Sequence, residues 1–195
     1  SAAVNRRSFL QQSALATGAV ALLPLAGCRT TPTPIAPLGY PGERGFKISL
    51  AEWSFHRAIS EARTMTNLDF PVVARRTYGI PAVEYVSTFF AGKVADEAYL
   101  RELRGTCDGE GVRSVLIMID GEGDLGAPDV AARKDAIERH VRWLHAAQAL
   151  GCFAIRVNAR SQGMPEEQLS CCADGIGELA DRGAAMGLAV IVENH

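Results

Sequence analysis

One short pattern recurs four times between residues 79 and 192, and it leaves this chain few folds to choose from. Each copy is a glycine and an apolar residue, followed after a short gap by a strand-like apolar run. It appears as Gly79-Ile80 before Val83-Glu84-Tyr85-Val86 and as Gly111-Val112 before Val115-Leu116-Ile117-Met118. It returns as Gly151-Cys152 before Ile155-Arg156-Val157 and as Gly187-Leu188 before Val190-Ile191-Val192. Successive glycines are 32, 40 and 36 residues apart. A strand–helix–strand step needs roughly 30 residues or more, so each interval holds one strand and one helix.

The segments ahead of the glycines carry helical periodicity. Ile137, Val141, Leu144 and Gln148 share one face, as do Leu169, Cys172, Ala173, Ile176, Leu179 and Ala180. Pro165-Glu166-Glu167 is a good helix start, with proline in the first turn and acids at the positive dipole end. Asp69 with Pro71, and Asp96 with Glu97, open two earlier helices in the same way. Each glycine stands where a helix end favours a left-handed residue. With a first strand expected over 46–50, the count is five strands and four intervening helices. Short, continuously apolar strands alternating with amphipathic helices mean a parallel sheet covered by helices. A doubly wound sheet is the alternative, but no G-x-G-x-x-G follows the first strand, which favours a barrel.

Ahead of this domain, assigned to 46–195, the chain reads as an address. Asn5-Arg6-Arg7-Ser8-Phe9-Leu10 leads into an apolar run over 14–25, too short for an ordinary spanning helix, that ends in Leu25-Ala26-Gly27-Cys28. Residues 1–28 thus resemble a twin-arginine export signal joined to a lipobox. That resemblance implies cleavage before Cys28, a lipid on its thiol, and an exported periplasmic or cell-surface protein anchored to a membrane. Residues 29–45 hold Pro32, Pro34, Pro37 and Pro41 among threonines and read as an extended tether. The other four cysteines form no C-x-x-C pair and are expected to be small buried hydrophobes. A net charge of −2 with no run of Lys or Arg argues against a nucleic-acid partner.

In a parallel barrel the chemistry gathers on the loops after the strands, and every strand here ends in polar residues. The first gives Glu52, Trp53 and His56; the second carries Glu84; the third leads to Asp120, Glu122 and Asp124. The fourth is followed by Asn158 and Arg160, and the fifth by Glu193, Asn194 and His195. Glu193 follows an unbroken apolar run and is the foremost candidate for a metal ligand; the alternative is an acid paired with Arg160. Trp53 reads as either a stacking platform for a sugar or core, and His56 as either a pocket residue or a loop cap. Asp120, Glu122 and Asp124, set among glycines, fit a solvated loop as well as a site, and Glu84 fits a buried structural acid. His140 and His145 are expected on the outer surface of a helix.

The stretches Ile48-Ser49-Leu50-Ala51-Glu52-Trp53-Ser54-Phe55-His56-Arg57, Ala82-Val83-Glu84-Tyr85-Val86, Ile117-Met118-Ile119-Asp120-Gly121-Glu122-Gly123, Ile155-Arg156-Val157-Asn158-Ala159-Arg160 and Val190-Ile191-Val192-Glu193-Asn194-His195 resemble the xylose isomerase-like, or sugar phosphate isomerase/epimerase, family. The resemblance implies a (β/α)8 TIM barrel of which this chain holds only the first part. It implies a divalent metal, manganese first, with magnesium, cobalt or zinc as substitutes, whose first carboxylate ligand is Glu193. The other ligands would come from later strands, so the chain is expected to be a piece of a longer product. The implied reaction is metal-assisted proton transfer on a carbohydrate through an enediolate. Glu193 and His195 would be catalytic, and Trp53, His56, Asn158 and Arg160 would contact substrate. An exported location favours free or oxidised sugars and glycosides over sugar phosphates. A keto-sugar or glycoside lyase or hydratase on the same barrel is the main alternative, and a non-catalytic sugar-binding lipoprotein is another. Homo-oligomerisation stays open.

Overall fold

The computed structural model describes residues 46–193. The export signal, the tether, Cys28, Asn194 and His195 lie outside the described residues. Within them, β1 (Leu50–Ala51), β2 (Ala82–Val86), β3 (Arg113–Met118), β4 (Ala154–Asn158) and β5 (Ala189–Glu193) form one sheet. Every pairing is parallel and the strands lie in chain order. Four helices separate them: α1 (Phe70–Tyr78), α2 (Glu97–Glu110), α3 (Val130–Leu150) and α4 (Pro165–Ala185). A doubly wound sheet would reverse its strand order at a switch point, and this one does not. The architecture is the first part of a (β/α) barrel, open between β1 and β5 among the described residues.

The recurring glycines do what their spacing implied. Gly79, Gly111 and Gly151 follow the last residues of α1, α2 and α3 with φ of 68°, 64° and 74°, and their N–H groups close the final helical turns. A side chain at such a φ is strained, so the turn from helix into strand is written in glycine. Gly187 adopts the same left-handed conformation one residue beyond the end cap of α4, Met186. At the opposite ends, Asp96 accepts from the N–H groups of Ala98 and Tyr99, and Asp129 from that of Ala132.

Alternate strand residues build the core. Val83, Tyr85, Ile117, Ile155 and Val157 are fully or almost fully buried against the helices, where Leu103, Ile137, Leu144 and Leu179 meet them. Aromatic edges run through this layer: Phe70 on Tyr85 (6.2 Å between centroids), Tyr85 on Phe90 (5.9 Å) and Phe90 on Trp143 (5.2 Å). Such edge-to-face pairs add about 0.5–1.5 kcal/mol each beyond area burial. Phe90 reaches this layer from a single tight turn after β2, Ser87–Phe90, which sequence periodicity did not reveal.

Four expectations need correction. The first strand was expected over 46–50, but β1 is Leu50–Ala51, paired with Val83 and Glu84. Phe46 and Ile48 are exposed: β2 itself begins only at Ala82, and the Ile80 N–H ahead of it closes the end of α1 on the Ala74 carbonyl instead of extending the ladder. His140 is buried rather than on the surface, because its face of α3 lies under the loop after β3; His145 is exposed as expected. Cys107 and Cys152 are buried hydrophobes, whereas Cys171 and Cys172 are only half-buried on α4. The apolar stripe of α4 is likewise covered only in part: Leu179 is buried but Leu169 is exposed.

Candidate active site

The register decides which side chains face away from the helices. Ala51 pairs with Glu84, Glu84 with Leu116, Val86 with Met118, Met118 with Arg156, and Asn158 with Glu193, so these positions share the inner face. A cleft of about 760 Å³ opens there, at the carboxyl ends of the strands. Its walls combine Trp53, Phe89 and Met118 with Asp120, Arg156, Arg160 and Glu193. Two carboxylates, two guanidinium groups and an aromatic wall therefore meet over the barrel interior.

Glu193 stands at the end of β5, half-buried in this wall. Its ion-pair partner is Arg156, not the Arg160 of the alternative reading. Arg156 lies on the inner face of the adjacent strand, one inward position before Asn158, within reach of the carboxylate. Arg160 is past the end of β4, exposed on the rim, where no carboxylate reaches it among the described residues. Arg156 carried a signal that periodicity alone passed over: it is a charge in the middle of an otherwise apolar strand run, Ala154–Asn158.

Trp53 is not core. It is 55% exposed and lines the cleft, with its ring stacked near-parallel to His56 (4.9 Å, 14°) and Phe89 (5.9 Å, 16°). Since a carbonyl only accepts, His56 Nδ1–H donates to the Trp53 carbonyl at 2.8 Å, which fixes both the tautomer and the ring. His56 thus backs the platform and does not line the cleft. A single turn of wider helix, Arg57–Glu61, follows and brings Ser60 to the cleft edge. Such turns commonly occur at functional sites.

Asn158 lies behind the wall. It is nine-tenths buried, donates from Nδ2 to Asp120 Oδ1 at 2.8 Å, and lines a small pocket of about 100 Å³ shared with Glu122, Asp124, His140 and Arg160. The three acids after β3 part ways. Asp120 lines the cleft; Glu122 accepts from Trp143 Nε1 (2.8 Å) and Arg142 (3.0 Å) and so ties the loop to α3; Asp124 faces the small pocket. Glu84 is held on the inner face by the Ser49 hydroxyl.

Glu52 is the residue whose part the sequence hid most completely. Its side chain has no exposure, Oε2 accepts the Val86 N–H at 2.9 Å, and Oε1 has no protein partner. Burial pushes its pKa from 4.5 up to about 8, and the Val86 hydrogen bond offsets this only in part. A neutral acid therefore joins the turn that carries Trp53 to the end of β2.

Glu193 is the candidate donor for a metal. Its Oε2 is buried and ion-paired with Arg156, so the carboxylate as it stands is held by a cation of the protein itself. Among the described residues no three His, Cys, Asp or Glu side chains gather as a metal site. Residues 46–193 thus hold one candidate ligand and no assembled metal centre.

The known relatives fit this picture. The family profile described as xylose isomerase-like TIM barrel matches residues 73–195. No curated protein matches the chain in sequence. Among solved structures, D-psicose 3-epimerase from Clostridium cellulolyticum, crystallised with D-tagatose, superposes with a TM-score of 0.60 at 15% identity over 74% of this chain and 51% of its own. The IolI protein with a bound zinc atom gives 0.60 at 13% identity over 76% and 51%. The 3-keto-D-glucoside 4-epimerase of E. coli gives 0.54 at 15% identity over 65% and 50%. The chain spans about half the length of these proteins, and at such identities they establish the fold alone. With its family profile covering the greater part of the sequence, the chain belongs to the xylose isomerase-like TIM barrel family.

Proposed function

We propose that this chain is the substrate-recognising first half of an exported, lipid-anchored carbohydrate isomerase or epimerase that uses a divalent metal. The observation that carries the reading is Glu193, a carboxylate at the end of β5 that opens on a cleft walled by an aromatic platform and by Asp120, Arg156 and Arg160. A sugar presents an apolar face and a ring of hydroxyls, and that mixture of surfaces suits it. Relatives on this fold include proteins crystallised with D-fructose and D-tagatose, which supports free keto-sugars as the substrate class.

Glu193 would supply one ligand to the metal, manganese by first choice, with the remaining ligands from outside residues 46–193. When bound, a divalent cation supplies Lewis-acid polarisation of a carbonyl and its neighbouring hydroxyl. Arg156 balances the charge on Glu193 and fixes the direction of its carboxylate. Glu193 is then placed to move a proton at the carbon between those oxygens, as a general acid/base requires. Trp53, backed by His56, stacks on the apolar face of the sugar, and Arg160 reaches its oxygens from the rim. His195, two residues past Glu193 in the sequence, is proposed as a second catalytic group.

The test is incubation of the full-length protein with manganese and D-fructose or D-tagatose in D2O. Isomerisation leaves the skeleton intact, exchanges one carbon-bound hydrogen, and disappears with chelator or in Glu193→Gln. Loss of water or an aglycone would move the assignment to a lyase or hydratase, and binding without exchange to a sugar-binding protein. Membrane release of Cys28→Ala, with the wild type retained, tests the anchor.

A further inference from the structure

Asp120 is held more firmly than a loop acid needs to be. Its backbone is locked to the turn after β2 by a reciprocal pair: the Asp120 N–H donates to Ser87 Oγ (2.9 Å), and the Ser87 hydroxyl donates to the Asp120 carbonyl (3.2 Å). Ser87 is itself buried. The side chain is fixed independently by Asn158 Nδ2, 2.8 Å from Oδ1, and Asn158 is nine-tenths buried. Two hydrogen bonds thus fix the backbone of Asp120 and a third its carboxylate, all with buried residues.

Nothing in the described residues neutralises it. Asp120 has no ion pair among them, and Asn158 is its single side-chain donor, whereas an ionised carboxylate can accept about four hydrogen bonds. Asp120 lines the cleft of about 760 Å³ that Glu193, Arg156 and Trp53 also line, and it borders a smaller pocket beside Glu122 and Trp143. An acid serving only solubility would gain nothing from this immobilisation, since ordering a side chain costs conformational entropy. A preorganised acceptor, by contrast, has met that cost before any ligand arrives.

We propose that Asp120 is a specificity-determining residue that accepts a hydroxyl of the carbohydrate, with Asn158 and Ser87 as its positioning residues. The assignment rests on the carbohydrate reading of the cleft. A carboxylate could equally attract an amine, but Arg156 and Arg160 stand on the same cleft and oppose a cationic ligand. A neutral polyol satisfies all of these groups together. Asn158 then serves recognition at one remove: it aims Asp120.

The experiment measures binding of D-fructose, D-tagatose and the singly deoxygenated fructoses to the full-length protein by ligand-observed NMR, with no metal added, alongside KM and kcat with manganese. Asp120→Asn keeps size and the bond to Asn158 and replaces the charged acceptor. It should weaken binding of the parent sugar about ten- to a hundredfold, the loss of one hydrogen bond to a charged group, mostly in KM. One deoxy-sugar should bind wild type correspondingly worse and bind Asp120→Asn no worse than the parent sugar does. Asn158→Ala should weaken the parent sugar less and keep the same deoxy-sugar pattern, which a merely structural defect would not reproduce; circular dichroism checks the fold of each. Wild type that binds none of these sugars overturns the carbohydrate reading and this assignment with it. Wild type that binds, with Asp120→Asn unchanged or with no deoxy-sugar singled out, overturns the assignment alone.

Discussion

Glu52 allows a quantitative test of how the first loop is held. In the folded chain the carboxyl is fully buried with one oxygen on the Val86 N–H, and burial raises its pKa from 4.5 to about 8. The folded state therefore binds a proton that the unfolded state releases throughout that window. Below pH 4.5 both states are protonated and the contribution is fully present; it is lost progressively as pH rises toward 8, and above 8 no more is lost. At about 1.4 kcal/mol per pH unit, the gap amounts to something on the order of 5 kcal/mol, a large share of an ordinary domain's stability. Glu52→Gln removes the titration but keeps an oxygen to accept from Val86. Urea unfolding of the full-length chain at pH 5, 6, 7, 8 and 9 would measure the effect. The variant should match wild type within about 1 kcal/mol at pH 5, gain on it steadily to pH 8, and hold a constant advantage beyond. A difference between the two proteins that stays flat from pH 5 to pH 9 would refute the buried neutral acid.

Other consequences of the packing are as direct. A Cβ on Gly175 would lie 1.9 Å from the Leu125 carbonyl oxygen, so Gly175→Ala must push α4 off the loop after β3. It should cost about 1–3 kcal/mol or more in chemical denaturation. Asp96→Ala removes the side-chain acceptor for two N–H groups at the start of α2 and should cost about 1 kcal/mol, read as a lower melting temperature. Cys107 and Cys152 are buried while Cys171 and Cys172 are half-buried, so iodoacetamide followed by peptide mass mapping should label the latter pair well before the former. Trp53 is half-exposed in the cleft while Trp143 is buried, so acrylamide should quench mainly Trp53, and a bound sugar should protect it.

Much of the architecture was legible along the chain because it rests on short-range rules. A glycine that ends a helix, an acid that caps one and an apolar run that cannot face water are each read within a few residues. Their repetition at intervals of 32 to 40 residues fixed the strand and helix count and the parallel sheet. That Glu193 and Trp53 stand at strand ends was legible for a similar reason, since Glu193 directly follows an apolar run and Trp53 comes just after β1 closes. The length of β1 was not, because a strand extends only as far as its neighbour offers hydrogen bonds, and the Ile80 N–H ahead of β2 is taken by the end of α1.

The division of labour among the polar residues belongs to the tertiary structure. Asp120, Glu122 and Asp124 look alike in sequence, yet one lines the cleft, one is tied to Trp143 and Arg142, and one faces a small pocket. Arg156 and Arg160 differ only by which side of the strand end they fall, and that decides which of them meets Glu193. Glu52 looks like any acid after a strand until the turn folds it beneath Val86 and removes it from water. Sequence periodicity says which face of an element turns inward, because that is a property of one strand or helix. What a buried or cleft-facing polar group does is set by its partners on other elements, here often 30 to 40 residues away, and only the packed sheet brings them together.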